Sequence, residues 1–158
     1  MSFGIDGATA RPFGTYGVVP TDLINLYGTF TAASWVNISR EYKSCTGVSL
    51  GPSGSLIFDN GTYFVHATIG ARTTTNTSAS CTFGWYINGN LSNKAAHSAA
   101  VEMRVANTSG TAVCRNSSMG AATVVTGPAQ IFLNISGVSA ATWNIEVFSL
   151  NIVVIRSL

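Results

Sequence analysis

Two histidines, three cysteines and six carboxylates are the side chains of this chain of 158 residues from which a metal site or a carboxylate pair would be built. His66 and His97 have no cysteine or carboxylate at a spacing that metal sites use, so no metal is expected. The acids Asp6, Asp22, Glu41, Asp59, Glu102 and Glu146 are spread along the chain. Glycoside hydrolysis needs two carboxylates held at a fixed separation. Glu102 and Glu146 are the pair that neighbouring strands would bring together, but Glu102 with Arg104 beside it reads more simply as a solvated face. Asp59, within Asp59-Asn60-Gly61, reads as a turn residue rather than a calcium ligand. No Gly-x-Ser-x-Gly elbow, phosphate-binding loop or dinucleotide fingerprint is written here. The expectation is a protein that is not an enzyme, with no catalytic residue and no cofactor. Cys45, Cys81 and Cys114 are odd in number, far apart and outside any C-x-x-C pattern. They read as buried small hydrophobes, with one disulfide plus a free thiol as the alternative.

Binding chemistry is also sparse. Charged residues make up 9% of the chain, against roughly 25% in an average globular protein. The basic residues Arg11, Arg40, Lys43, Arg72, Lys94, Arg104, Arg115 and Arg156 are scattered, so nucleic acid is not an expected partner. Asn-x-Ser/Thr triplets begin at Asn37, Asn60, Asn76, Asn90, Asn107, Asn116 and Asn134. They read as turn composition, with glycan acceptance as the alternative in a host that glycosylates the chain. Residues 1–7 have neither a basic run nor an apolar core, and no stretch approaches the roughly 20 apolar residues of a membrane helix. Neither a secretory leader nor membrane insertion is therefore expected.

The elements that must position these residues are strands. From residue 23 onward short apolar-polar alternations are separated by Gly, Pro, Asn and Ser, and no window shows a helical period. Residues 62–70 place Tyr63, Val65, Ala67 and Ile69 on one face, and residues 81–87 place Cys81, Phe83, Trp85 and Ile87 on one face. Residues 130–135 do the same with Ile131, Leu133 and Ile135. Reversals are expected at Gly51-Pro52-Ser53-Gly54, Asp59-Asn60-Gly61, Asn88-Gly89-Asn90 and Gly127-Pro128. Eight to ten such strands imply an all-β sandwich or barrel. Residues 1–22 are aperiodic and rich in Gly and Pro, yet they contain Phe3, Phe13 and Tyr16. They are expected to form an extended N-terminal anchoring arm, with these three aromatics docking on a partner, ahead of a domain spanning 23–158.

The last strand poses a problem of its own. Strict alternation over 143–155 places Trp143, Ile145, Val147, Val153 and Ile155 on one face and Phe148, Leu150, Ile152 and Val154 on the other. Toward its end both faces are apolar. One face can fill the core of the sandwich. The other needs a cover, and a second copy of the chain is the simplest one.

Four segments resemble the tumour necrosis factor/complement-globular-head superfamily. Leu56-Ile57-Phe58-Asp59-Asn60-Gly61-Thr62-Tyr63-Phe64-Val65 is similar to its Phe-x-x-x-Gly-x-Tyr-x-Phe/Val signature. Phe83-Gly84-Trp85-Tyr86-Ile87-Asn88-Gly89-Asn90 resembles its apolar strand and hairpin. Residues 123–133 resemble a later segment in which the family's Gly-Asp is Gly127-Pro128 here, and residues 150–156 resemble its terminal strand. The resemblance spans about 23–158. It implies an antiparallel jelly-roll β-sandwich and a homotrimer whose threefold axis is lined by the terminal strand, with Tyr63, Phe148, Leu150 and Ile152 at the subunit interface.

Jelly rolls of this kind also form knobs on virus and phage surfaces. The expected function is a virion structural protein: a homotrimeric head fibre or decoration knob, made in the host cytoplasm, displayed on the virion surface and attached to a capsid or tail protein by its arm. Two alternatives stand beside it. One is a receptor- or glycan-binding head of a viral fibre, using Trp35, Tyr42 and the loop 73–80 on a host-surface partner. The other is a cellular spore-coat or secreted trimer.

Overall fold

The computed structural model describes residues 13–18, 29–30, 34–73, 79–95, 101–105, 117–136 and 145–157. All of its regular structure, apart from one short 3-10 turn at Pro52–Gly54, is antiparallel β: β1 (Phe13–Val18), β2 (Thr29–Phe30), β3 (Ser34–Val36), β4 (Arg40–Lys43), β5 (Val48–Leu50), β6 (Leu56–Thr73), β7 (Ala79–Ile87), β8 (Val101–Val105), β9 (Ser117–Ser136) and β10 (Ile145–Arg156). The hydrogen-bonded order is β4-β1-β10-β6-β9-β7-β8, with β2 on β10, β3 on β9 and β5 on β6. This is the all-β jelly-roll sandwich that the strand pattern and the resemblance imply.

The two long strands build both layers. β9 pairs with β6 from Ala71↔Ser117 to Leu56↔Ile131. Beyond Ile131 its partners are β3 on one edge and β7 on the other. β4, β1, β10 and the later part of β6 extend one layer, and β5, β3, β7 and β8 extend the other. Between the layers lies one apolar core, in which Trp85, Tyr16, Tyr63, Phe58 and Phe83 are the largest fully buried side chains. The Trp85 indole N–H donates to the Ala121 carbonyl oxygen at 3.0 Å, satisfying the one polar atom that this side chain brings into the interior. The inward sets read from alternation are in place: Tyr63, Val65, Ala67 and Ile69 on β6, Cys81, Phe83 and Trp85 on β7, and Ile131, Leu133 and Ile135 on β9.

Two expected reversals are not reversals. Asp59-Asn60-Gly61 lies inside β6 and Gly127-Pro128 inside β9, with Gly61 paired to Gly127. Between Phe58 and Gly61 the register slips, so β6 carries a bulge there. The bulge moves the buried residues of β6 from even positions (Leu56, Phe58) to odd ones (Tyr63 onward). Its spare backbone groups find partners outside the ladder: the Asp59 N–H donates to the Gly47 carbonyl at 2.8 Å, and Arg156 Nη2 donates to the Asn60 carbonyl at 3.0 Å. A Cβ at Gly127 would overlap the Asp59 carbonyl oxygen, so the close approach of the two strands requires glycine. By contrast, Asn88-Gly89 does turn the chain, at the start of the loop that closes where the Ile87 N–H donates to the Asn93 carbonyl at 2.8 Å. Both residues have positive φ (53° and 64°), and the Asn90 N–H donates to the Ile87 carbonyl at 3.1 Å, a type I′ turn.

The expected arm is corrected in part. Residues 13–18 are strand β1, paired along β10 from Phe13↔Ile155 to Val18↔Leu150 and with β4 on the other side. Tyr16 is fully buried, and its hydroxyl accepts the Cys45 N–H at 2.8 Å. It is a core residue and has no surface to offer a docking partner. Gly14 and Gly17 suggested loop, but Gly14 packs so closely that a Cβ there would stand 2.6 Å from the Lys43 carbonyl oxygen. Phe3 lies outside the described residues.

Two outcomes test this architecture. Gly127→Ala should cost about 1–3 kcal/mol or more, since backbone rather than a mobile side chain occupies the space, whereas Thr126→Ala on the exposed face should stay within about 0.5 kcal/mol. Denaturant titration of both variants checks this. Burial raises the Tyr16 phenol from 10.0 to about 12. The folded state therefore favours its neutral form, and this contribution is complete below pH 10 and lost as pH rises to about 12. Tyr16→Phe leaves the Cys45 N–H without its acceptor and should cost about 1–3 kcal/mol at pH 7, with a deficit that narrows between pH 10 and 12. Thermal melts of both proteins across that range measure the narrowing.

Candidate self-association face

The outward surface of the β1-β10-β6-β9 layer is the part of the molecule left chemically unfinished. On β10 the inward residues are Leu150, Ile152 and Val154, which leaves Val153 and Ile155 facing out. A bulge between Val147 and Ser149 shifts the alternation, so Val147 is buried with the even-numbered set rather than facing out with Val153 and Ile155. The doubly apolar terminal strand thus has one face in the core and the other uncovered.

Register aligns the uncovered residues. Phe13 pairs with Ile155, Ile155 with Phe64, and Phe64 with Val124. These four, exposed by 42%, 46%, 44% and 36%, form one row across four strands, about 14 Å wide at the usual strand spacing. Among the described residues only one other large apolar side chain is comparably exposed, Leu91 on the turn after β7. The next row is Thr15, Val153, His66 and Ala122, and beyond it Asn151 and Thr68 face out. On the other side of the apolar row stand Thr62 and Thr126. None of these outward residues of β1, β10, β6 and β9 carries a fixed charge. A cation touches the row at its rim, where Lys43 Nζ lies 4.0 Å from the Phe13 ring centroid. At the opposite end, past Val124, a cleft of about 300 Å³ lined by Ile87, Ala95, Val125, Ala129 and Ile131 extends the apolar surface around the edge of β9.

This arrangement corrects the expected interface residues. Tyr63 and Ile152 are fully buried and Leu150 nearly so, all within one chain, and a residue without surface cannot contact a second copy. Tyr63 packs edge-on against Phe58 at 4.9 Å, with the Arg156 guanidinium 5.6 Å over its ring and its hydroxyl donating to the Gly47 carbonyl at 3.3 Å. The side chain of Phe148 lies outside the described residues. The outward neighbours in each strand, Phe64 beside Tyr63 and Val153 and Ile155 beside Ile152, are the residues a partner would meet. Phe13, expected as an arm anchor, joins the same row.

The other layer carries a smaller feature. Trp35 meets Tyr86 at 5.9 Å and Phe132 at 5.5 Å between ring centroids, forming a half-buried aromatic ledge. Beside it Asn134, paired with Trp35 in the ladder, is buried. Its Nδ2 donates to the Ser34 carbonyl at 2.8 Å, while its Oδ1 has no hydrogen-bond partner. Of the glycan triplets, the one at Asn134 is closed to modification in the folded chain, whereas Asn37, Asn60 and Asn90 are exposed. Asn90 Oδ1 accepts the Ser92 N–H at 2.9 Å, which is the turn role expected of such residues.

Cys45 and Cys81 are buried, as their composition suggested, and Cys114 lies outside the described residues. Burial raises the Cys81 thiol to about 12 and raises that of Cys45 as well, which suppresses thiolate chemistry at neutral pH. Among the described residues no three His, Cys, Asp or Glu side chains converge, and no helix is long and apolar enough to cross a membrane.

No family model matches the chain. No curated protein matches it either. Among solved structures the fold is similar to that of the Eiger TNF from S. frugiperda, with a TM-score of 0.60 and 8% identity over 95% of this chain and 94% of that one. The chain therefore has a TNF-like jelly-roll fold.

Proposed function

We propose that this chain is a structural assembly module: a homotrimeric, TNF-like knob of a virion surface, in the manner of a head fibre or decoration protein, that performs no catalysis. The observation that carries the self-association is the exposed apolar row Phe13-Ile155-Phe64-Val124 on the outer face. An exposed apolar side chain gains about 1.5–3 kcal/mol on full burial, and four in register offer a partner a continuous strip. A trimer closes because each subunit presents two different patches, one to each neighbour. The rim at β1 and the cleft beyond β9 lie at opposite ends of this strip and meet that requirement. The virion setting is supported by the low charge and by the uncovered apolar face, which together suit a protein that works as part of a larger particle. Attachment to a capsid or tail protein falls to the segment before β1, with Phe3 as its aromatic anchor. Three such segments on one trimer would bind with avidity.

A second reading has one observation in its favour. The half-buried ledge of Trp35, Tyr86 and Phe132 suits the stacking of a sugar or a receptor segment on the knob. A glycan array with the intact chain and with Trp35→Ala separates the two: binding lost in the variant supports a receptor head, and an empty array leaves the structural role.

Light scattering on the intact chain should give three times the 16.5 kDa subunit mass. Phe64→Asp places a charge in the apolar strip and should raise the dissociation constant by about 100-fold or more, with an unchanged circular dichroism spectrum. Leu91→Asp, at a still more exposed position away from the strip, should leave the mass at three chains. A monomeric intact protein overturns the reading.

A further inference from the structure

Resting on the self-association reading above, we infer that His66 makes the assembly acid-labile, so that it holds at neutral pH and loosens on acidification. His66 occupies the centre of the outward face, in the row next to the apolar one, between Val153 on β10 and Ala122 on β9. Its ring lies parallel to that of Phe64, with an interplanar angle of 8° and centroids 6.5 Å apart. Gly120 makes room for it: a Cβ there would stand 2.7 Å from His66 Nε2.

The surroundings are what give the proton its leverage. Facing His66 are Thr15 of β1, Asn151, Val153 and Ile155 of β10, Phe64 and Thr68 of its own strand, and Gly120, Ala122 and Val124 of β9. None of these is an acid or a base. Lys43 of β4 lies over Phe13 on this side of the layer, beyond β1 and β10, and would repel a second cation. An imidazolium formed here thus has no carboxylate among these neighbours to pair with. In a free subunit water solvates it; in the assembly it is enclosed by apolar surface and repeated in every subunit. Burying an unpaired charge is costly, so the assembled state favours neutral imidazole and the free subunit accepts the proton. Each subunit then takes up as much as one proton on release. By linkage the dissociation constant rises as the pH falls and the proton is taken up.

Sedimentation velocity of the full chain and of His66→Gln, at pH 7.5 and pH 5.0, tests this. The intact chain should assemble at pH 7.5, and its dissociation constant should rise by about tenfold or more at pH 5.0, while the glutamine variant changes by less than about threefold. Near-UV circular dichroism should show the same folded subunit at both pH values. Undiminished assembly of the intact chain at pH 5.0 overturns the acid switch and leaves the self-association reading standing. An equal loss in chain and variant, or loss of the near-UV spectrum in both, assigns the effect to another group and also overturns it. A monomer already at pH 7.5 overturns both.

Discussion

The pairing of β6 with β9 is the constraint on which the rest of this molecule depends. The two strands run antiparallel from Ala71↔Ser117 to Leu56↔Ile131, and every other element is placed by one of them. β10 and then β1 and β4 follow from the free edge of β6, and β7, β8 and β3 follow from the far end of β9. Side chains on a strand alternate between faces, so the register of this one pair decides which residue of each neighbouring strand looks inward. Once Tyr63, Val65, Ala67 and Ile69 are inside, Phe64 and His66 are outside. The uncovered row and the core are two consequences of one register.

That register is held at a weak-looking place. Asp59-Asn60-Gly61 and Gly127-Pro128 would each end a strand if met alone, because glycine and proline penalise an extended interior. Opposite each other they cooperate. The missing Cβ at Gly127 lets the bulged strand approach, and Gly47 and Arg156 take up the bulge's backbone groups. The bulge also swaps the parity of β6, which allows a single strand to serve the core on both sides of the bulge. A second bulge in β10 does the same for Val147.

The surface follows from the same economy of charge. With 9% charged residues, the chain covers much of its exterior with hydroxyls, amides and small side chains, and the rows around Phe64 and His66 on the β1-β10-β6-β9 face carry no fixed charge of their own. Such a face has little to keep it apart from another like it, since solubility and separation rest largely on charge. His66, the titratable group within these rows, is therefore positioned to affect the face around it.

Alternation and turn chemistry, being local, were legible in the chain itself. They suffice for the all-β class, for the inward sets of β6, β7 and β9, for the Asn88-Gly89 turn, for the burial of Cys45 and Cys81, and for the mismatch of a terminal strand apolar on both faces. Whatever depends on a partner strand was not legible. Asp59-Asn60-Gly61 reads the same whether it ends a strand or bulges within one, and only the presence of Gly127 opposite decides. Which faces of β6 and β10 turn inward is set by their pairing, and so the resemblance placed Tyr63, Leu150 and Ile152 at the interface whereas their outward neighbours are the exposed residues. Tyr16 looked like an arm residue among glycines because its buried partner, the Cys45 N–H, lies on a distant segment. The alignment of Phe13, Ile155, Phe64 and Val124 has no sequence signal, since the four residues come from four strands and become neighbours only when the register of three strand pairs is fixed.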